Sequence, residues 1–359
     1  MQDEPESHLC TEAEAALNAG DFSRARELTD EALSHRPDWV EARMLRAYAL
    51  QDDPKAMEDL DWVLEREPKN YNALRLRAHF RATSDDLEGA MADLEVLYRL
   101  EPDNYDTLSK AADTLIRLGR YDEALGYAKA MEEIEPDGVL TYAYMGEALL
   151  LLGYFEAALA WLMPVSHEAE AGPYYGLRAA QALCRLRQYE VAGNVMDECA
   201  TQDATLLDDH DWLDLAEIRL ELGQVQAAFE CLERARESEQ KGAWLALWGR
   251  AQIASGCQAA GLDALDRALR SFKSEQENTA SAKDYNIAWC HASRGVLARQ
   301  YGIHLIDIQA ERAAACAALI RACARSDVSL RYARSDPCFD ALWSMPELES
   351  LAAEGGREV

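Results

Sequence analysis

The chain has 359 residues, with 36 basic against 65 acidic side chains, a formal net charge of −29, 49% apolar residues and nine cysteines. This balance argues against nonspecific nucleic-acid or anionic-membrane binding, where Lys and Arg supply the attraction, and it favours solubility and basic partners. The cysteines are scattered, odd in number and lack a Cys-x-x-Cys pair, which excludes the usual disulfide scaffold or zinc ribbon and reads as small buried residues in a reducing compartment.

Met1 to Glu6 is acidic and has no apolar core, so no signal or transit peptide is expected. From about Glu6 to Trp39, apolar residues recur at helical spacing on either side of Gly20-Asp21-Phe22, with small Ala25 and Ala32 and a closing Pro37. Val40 to Asn70 repeats the pattern three residues shorter; there Asp53 is expected as an N-cap and Pro54 as the first helical residue. Tyr71 to Asn104 and Tyr105 to Gly138 are two ungapped 34-residue copies. Each opens on an aromatic, and they close on Glu101-Pro102-Asp103-Asn104 and Glu135-Pro136-Asp137-Gly138.

Val139 to Gly172 keeps Tyr142, Gly146, Gly153-Tyr154-Phe155 and Ala158, but Pro164 falls inside its second helical pattern. Proline removes a backbone donor and clashes with the preceding turn, costing roughly 3 kcal/mol in a helix interior, so this helix is expected to kink or end near Met163. Ala148 to Val165 approaches membrane-span length, yet it contains Gly153, Glu156 and Pro164 in repeat register and is read as soluble. A sixth unit runs from Pro173 to Asp208, a seventh carries Trp212 and Gly223, and an eighth lies near Gly242 to Glu275. Gln276 to Ser281 reads as a polar linker. Tyr285 to Cys290 then opens an irregular last pair, continued by an Ala-rich helix over Ala310 to Arg325 after the long apolar connection Gly302 to Gln309. Ser335 to Leu342 is expected to form a short closing helix.

Paired helical patterns recurring every 34 residues, with small, aromatic and proline residues at fixed positions, resemble the tetratricopeptide repeat (TPR) family. The resemblance implies an all-α, right-handed superhelix of eight to nine helix pairs with a C-terminal capping helix. Residues 1–275 would hold units one to eight, and 276–359 the irregular last pair and the cap. It also implies that first helices line a concave groove while second helices face outward.

On that basis the first helices of units two to four hold seven basic residues against three acidic, and their second helices five against sixteen. The implied groove is basic on an acidic shell, and unit seven reverses the sign. Asn72, Arg75 and His79 share one helical face, and with Arg43, Tyr48, Lys110 and Arg117 they are the expected peptide-binding residues. The carboxylate-clamp positions of chaperone-binding relatives are filled here by Met44 and Tyr48, Arg75 and His79, Ser109 and Asp113, which speaks against that ligand. A competing reading pairs the arginines with neighbouring carboxylates, Arg46 and Arg77 occupying usually apolar positions.

Motifs for chemistry are weak. Asp208-Asp209-His210-Asp211 reads as a helix start. Cys316 and Cys323 share a face in Ala-rich surroundings, and Cys290 and His291 are neighbours whose side chains diverge by about 100° on a helix. Trp212, Trp244, Trp248 and Trp289 fall at packing positions, and there is no phosphate loop, nucleophile elbow or metalloprotease helix. The implied function is a non-enzymatic cytoplasmic scaffold or adaptor without cofactor or metal. It would bind a protein or peptide partner, an acidic segment suiting units two to four, with no nucleic acid or membrane. The alternative is a ligand-sensing or catalytic site around Cys290, His291, His304 and Cys316, where Lys283 to Arg334 holds eight basic against four acidic residues.

Overall fold

A computed structural model describes residues 7–50, 54–166, 172–202, 207–235, 241–274, 283–324 and 330–349, and every regular element among them is helical. The described chain divides into two compact units, one ending at Pro136 and the other starting at Asp137. The boundary expected near residue 275, the linker Gln276 to Ser281 and the proposed cap Asp53 lie outside the described residues.

The first unit holds four helix pairs: α1 (Ser7–Asn18) with α2 (Phe22–His35), α3 (Val40–Leu50) with α4 (Pro54–Arg66), α5 (Tyr71–Thr83) with α6 (Leu87–Leu100), and α7 (Tyr105–Arg117) with α8 (Tyr121–Ile134). The Glu-Pro-x-Asn closures explain the register. Asn70 and Asn104 each accept the backbone N–H three residues on, at 3.0 Å, and donate back to Glu67 and Glu101, so one side chain ends a unit and starts the next. Within pairs the turn needs one left-handed residue, supplied by Gly20 and Gly119 and, in the third pair, by Asp85 at φ 64°. Ala25, Ala90, Ala111 and Ala124 are fully buried, which lets paired helices approach closely.

The second unit holds five pairs: α9 (Val139–Leu152) with α10 (Phe155–Val165), α11 (Gly172–Arg185) with α12 (Tyr189–Gln202), α13 (Asp209–Glu221) with α14 (Val225–Arg234), α15 (Gly242–Ala254) with α16 (Gln258–Ser274), and α17 (Lys283–Tyr301) with α18 (Ile308–Ala324). α10 contains Pro164 and stops at Val165, two residues beyond the expected break and after 11 residues, against 14 in α2, α6, α8 and α12. Asp208 caps α13 through a reciprocal capping box with Asp211, as the helix-start reading requires. Trp244 stacks on Trp248 at 4.9 Å and donates to the Leu232 carbonyl, so these rings belong to the core.

The C-terminal segment differs from expectation. A short helix, α19 (Leu330–Ser335), ends where a closing helix was expected to begin, and a 3-10 turn (Pro337–Phe339) follows. Proline disfavours the helical conformation at the preceding residue, and Asp336 accordingly sits at ψ 117° with its side chain capping the Cys338 N–H. No described helix is long and apolar enough to cross a membrane.

Candidate peptide-docking groove

In the first unit α1, α3 and α5 each contribute one face to a common cavity of about 770 Å³. Leu17, Leu45 and Leu76 supply an apolar floor, with Phe22, Tyr48 and Phe80 as aromatic walls and Glu14, His79 and Thr83 as polar lining. Phe22 is 43% exposed although it opens a helix, so a large apolar ring is held in solvent beside the cavity.

Two of the expected site residues, Tyr48 and His79, line this cavity. Arg75 joins it indirectly by donating a hydrogen bond to the Tyr48 hydroxyl, and it makes no ion pair among the described residues. Asn72 is exposed on the same helix. The other three residues lie elsewhere. Lys110 pairs with Asp106 at 2.6 Å and Arg117 with Asp85 at 3.3 Å, both at exposed positions. Arg43 donates to Asp59 at 2.7 Å and to the Pro37 carbonyl, and stacks over Trp62.

The arginines of α3 and α5 form a repeated ionic lattice. Arg46 binds Asp59 through Nε at 2.7 Å and Nη2 at 2.8 Å, and reaches Asp30 of the preceding pair through Nη1 at 2.9 Å. Arg77 does the same with Asp93 (2.9 and 2.6 Å) and Asp61 (2.7 Å), nitrogen for nitrogen. Arg81 adds a third bond to Asp93. Asp59 and Asp93 are 1% and 3% exposed, so their charges depend on these partners. Hydrogen bonds to Asp59 and Asp93 hold the Arg46 and Arg77 guanidiniums still more firmly protonated, against the opposing effect of burial. Arg43, Arg46, Arg77 and Arg81 are thus paired with carboxylates, as the competing reading has it for Arg46 and Arg77, and Arg75 is left beside an apolar cavity. A signal was present in the sequence: Asp59 and Asp93 interrupt the apolar stripes Ala56-Leu60-Val63 and Ala90-Leu94-Leu97.

The alternative site does not assemble. Cys290 is fully buried, its thiol pushed up to about 12 by burial and directed at the Leu265 carbonyl. His291 bonds to Glu311 at 2.6 Å. Burial tends to raise the Glu311 carboxyl, but His291 and Arg294 outweigh it and hold it low. Cys316 is buried and His304 exposed. No group of three or more metal-ligating side chains converges among the described residues, and none of the nine cysteines is in a disulfide.

Paired helices with common inner turns make an all-α helical-repeat fold, like that of tetratricopeptide repeats. No protein-family model matches the sequence, and no curated protein matches it. Among solved structures, the chain is similar to a tetratricopeptide repeat protein from Parabacteroides merdae, with 14% identity, 77% of this chain and 96% of that one covered, and a TM-score of 0.44. It is also similar to the APC/C hetero-tetramer Cut9-Hcn1 (15%, 92% and 75%, 0.46) and to PilW, a type IV pilus biogenesis factor (17%, 66% and 94%, 0.46). At these levels the likeness is one of helical arrangement and says nothing of partners.

Proposed function

We propose that the protein is a non-enzymatic scaffold whose first unit docks a short peptide segment, an apolar anchor entering the α1–α3–α5 cavity and an acidic residue meeting Arg75 and His79 at its mouth. The observation that carries this reading is the half-exposed apolar cavity itself. Its volume falls in the range of ligand pockets, about 300–1,000 Å³, and its lining combines leucines and aromatics with a few convergent polar groups. Arg75 fits the acidic contact because a guanidinium without a carboxylate partner can accept one through two parallel hydrogen bonds.

Selection of a displayed random-peptide library on the full-length chain tests the proposal. Peptides carrying a large apolar residue next to an acidic one are expected to enrich, and Phe22→Glu is expected to abolish their binding without lowering the melting temperature. Enrichment of peptides that bind Phe22→Glu equally well would overturn it.

A further inference from the structure

In the second unit the corresponding face is already occupied, by the chain's own segment 330–349. Arg331 lies over the Tyr154 ring at 4.0 Å, and Tyr332 packs 5.9 Å from Phe155. Gly153, left-handed at φ +83°, lets the segment pass: a Cβ there would sit 2.8 Å from the Tyr332 nitrogen. Further along, the buried Asp336 carboxylate accepts hydrogen bonds from Arg185 of α11 at 2.9 Å and from the Tyr285 hydroxyl of α17 at 2.7 Å. Three residues on, fully buried Phe339 meets Tyr285 edge-on at 5.5 Å. Arg187 grips Asp340 at 2.7 and 2.8 Å, and Arg312 of α18 donates to the Ala341 carbonyl.

These contacts have the character of ligand recognition: a charged anchor, an aromatic anchor and side chains drawn from two first helices, α11 and α17, and from neighbouring turns and second helices. Ala333, Phe339, Leu342 and Leu348 of the segment are part of the unit's buried core, and three further observations mark a ligand-like seam beside that burial. The face beneath it is ionic, with Arg185, Glu217, Glu221 and Arg250, whereas a surface built only to be buried gains as much from apolar residues. Arg187 stands at φ 61° in an inner turn where most pairs place glycine and only the third, with Asp85, also does not; it is the one of these two non-glycine residues that grips the segment, through Asp340. The seam is imperfect, since Trp343 Nε1 and Arg312 Nε are buried and meet no acceptor among the described residues.

We propose that this face of the second unit, formed by Arg185, Arg187 and Tyr285, is a binding site for a protein segment carrying an aspartate and, three residues later, an aromatic, and that 330–349 is its resident occupant, displaced when such a partner segment arrives. The inference is independent of the first-unit cavity. Tethering gives the resident an effective concentration in the millimolar range, so a free segment competes poorly until the resident's anchors are removed.

The test uses a fluorescent peptide with the sequence of residues 330–349, titrated into the full-length chain and into the full-length Asp336→Ala/Phe339→Ala variant. The variant is expected to bind roughly tenfold or more tightly than the unaltered chain, and adding Arg185→Ala is expected to remove that binding. Equal affinity for both chains, or binding indifferent to Arg185, would overturn the proposal. Hydrogen exchange on the unaltered chain gives a reading that needs no substitution. Amides of 330–345 are expected to exchange roughly tenfold or more faster than those of α11 and α17, and faster again with excess peptide. Exchange as slow as that of the floor helices, unmoved by peptide, would make the segment part of the core and defeat the idea.

Discussion

Arg77→Ala isolates the ionic lattice of the first unit. The substitution removes two bonds to Asp93, at 2.9 and 2.6 Å, and one to Asp61, at 2.7 Å. Asp61 is 53% exposed, and losing a partner there costs only about 0–1 kcal/mol. Asp93 is 3% exposed and would keep Arg81 alone, at 2.8 Å. Breaking a buried pair costs about 3–5 kcal/mol when the remaining charge is uncompensated, and the surviving Arg81 places this case at the lower end, near ~3 kcal/mol. With urea slopes of about 1–3 kcal/mol per molar, the first unit's transition, followed by circular dichroism, should move down by roughly 1–3 M. The control is Arg99→Ala, whose side chain is 70% exposed in an i,i+4 pair with Glu95 and which should shift stability by no more than about 0.5 kcal/mol. Equal effects at Arg77 and Arg99 would refute the claim that these arginines cement neighbouring pairs.

Three further outcomes follow from the second unit. Burial lifts the Glu217 carboxyl from 4.5 to about 7, opposed by Arg250 and Arg185 and aided by Asp336 and Asp214. Between those values the folded chain holds a proton that the unfolded chain has released, so this group's contribution to stability falls as pH rises across the window. Glu217→Gln should therefore shrink the difference in melting temperature between about pH 5 and about pH 8; an unchanged difference would contradict the assignment. Asp208→Ala removes the α13 capping box and should cost about 1 kcal/mol in chemical denaturation, whereas no loss would show that the cap is redundant. Alkylation followed by mass spectrometry should modify exposed Cys257 well before buried Cys290, whose thiol sits near 12, and the reverse order would contradict the packing of α17.

Local features of the fold were legible in the sequence because they depend on residues close together in the chain. The helix pairs, the short α10 ending at Val165 just past Pro164 and the capping role of Asp208 all arise within one or two turns. The groove charge was misread because counting by helix assigned Asp59 and Asp93 to an outward shell, whereas both point inward to arginines on the paired helix. Register within the second helices carries that information, and net charge does not. A closing segment was legible near Ser335, but not what it touches: Arg185 and Asp336 lie 151 residues apart, and no local pattern announces their contact. Of the expected residues Tyr48 and His79 line the first-unit cavity, while Leu17, Phe22 and Leu45 line it without having stood out, because their apolar character is that of any packing residue on a helical repeat.

The central claim is that the first unit docks its partner in the cavity between α1, α3 and α5 and not through the paired arginines. Photo-crosslinking tests it most directly, using a library-selected peptide whose apolar anchor is replaced by benzoylphenylalanine. Adducts mapped by mass spectrometry are predicted on the cavity residues Leu17, Phe22, Leu45, Tyr48 and His79. Adducts confined to the second helices α4 and α6, or to the second unit, would contradict it.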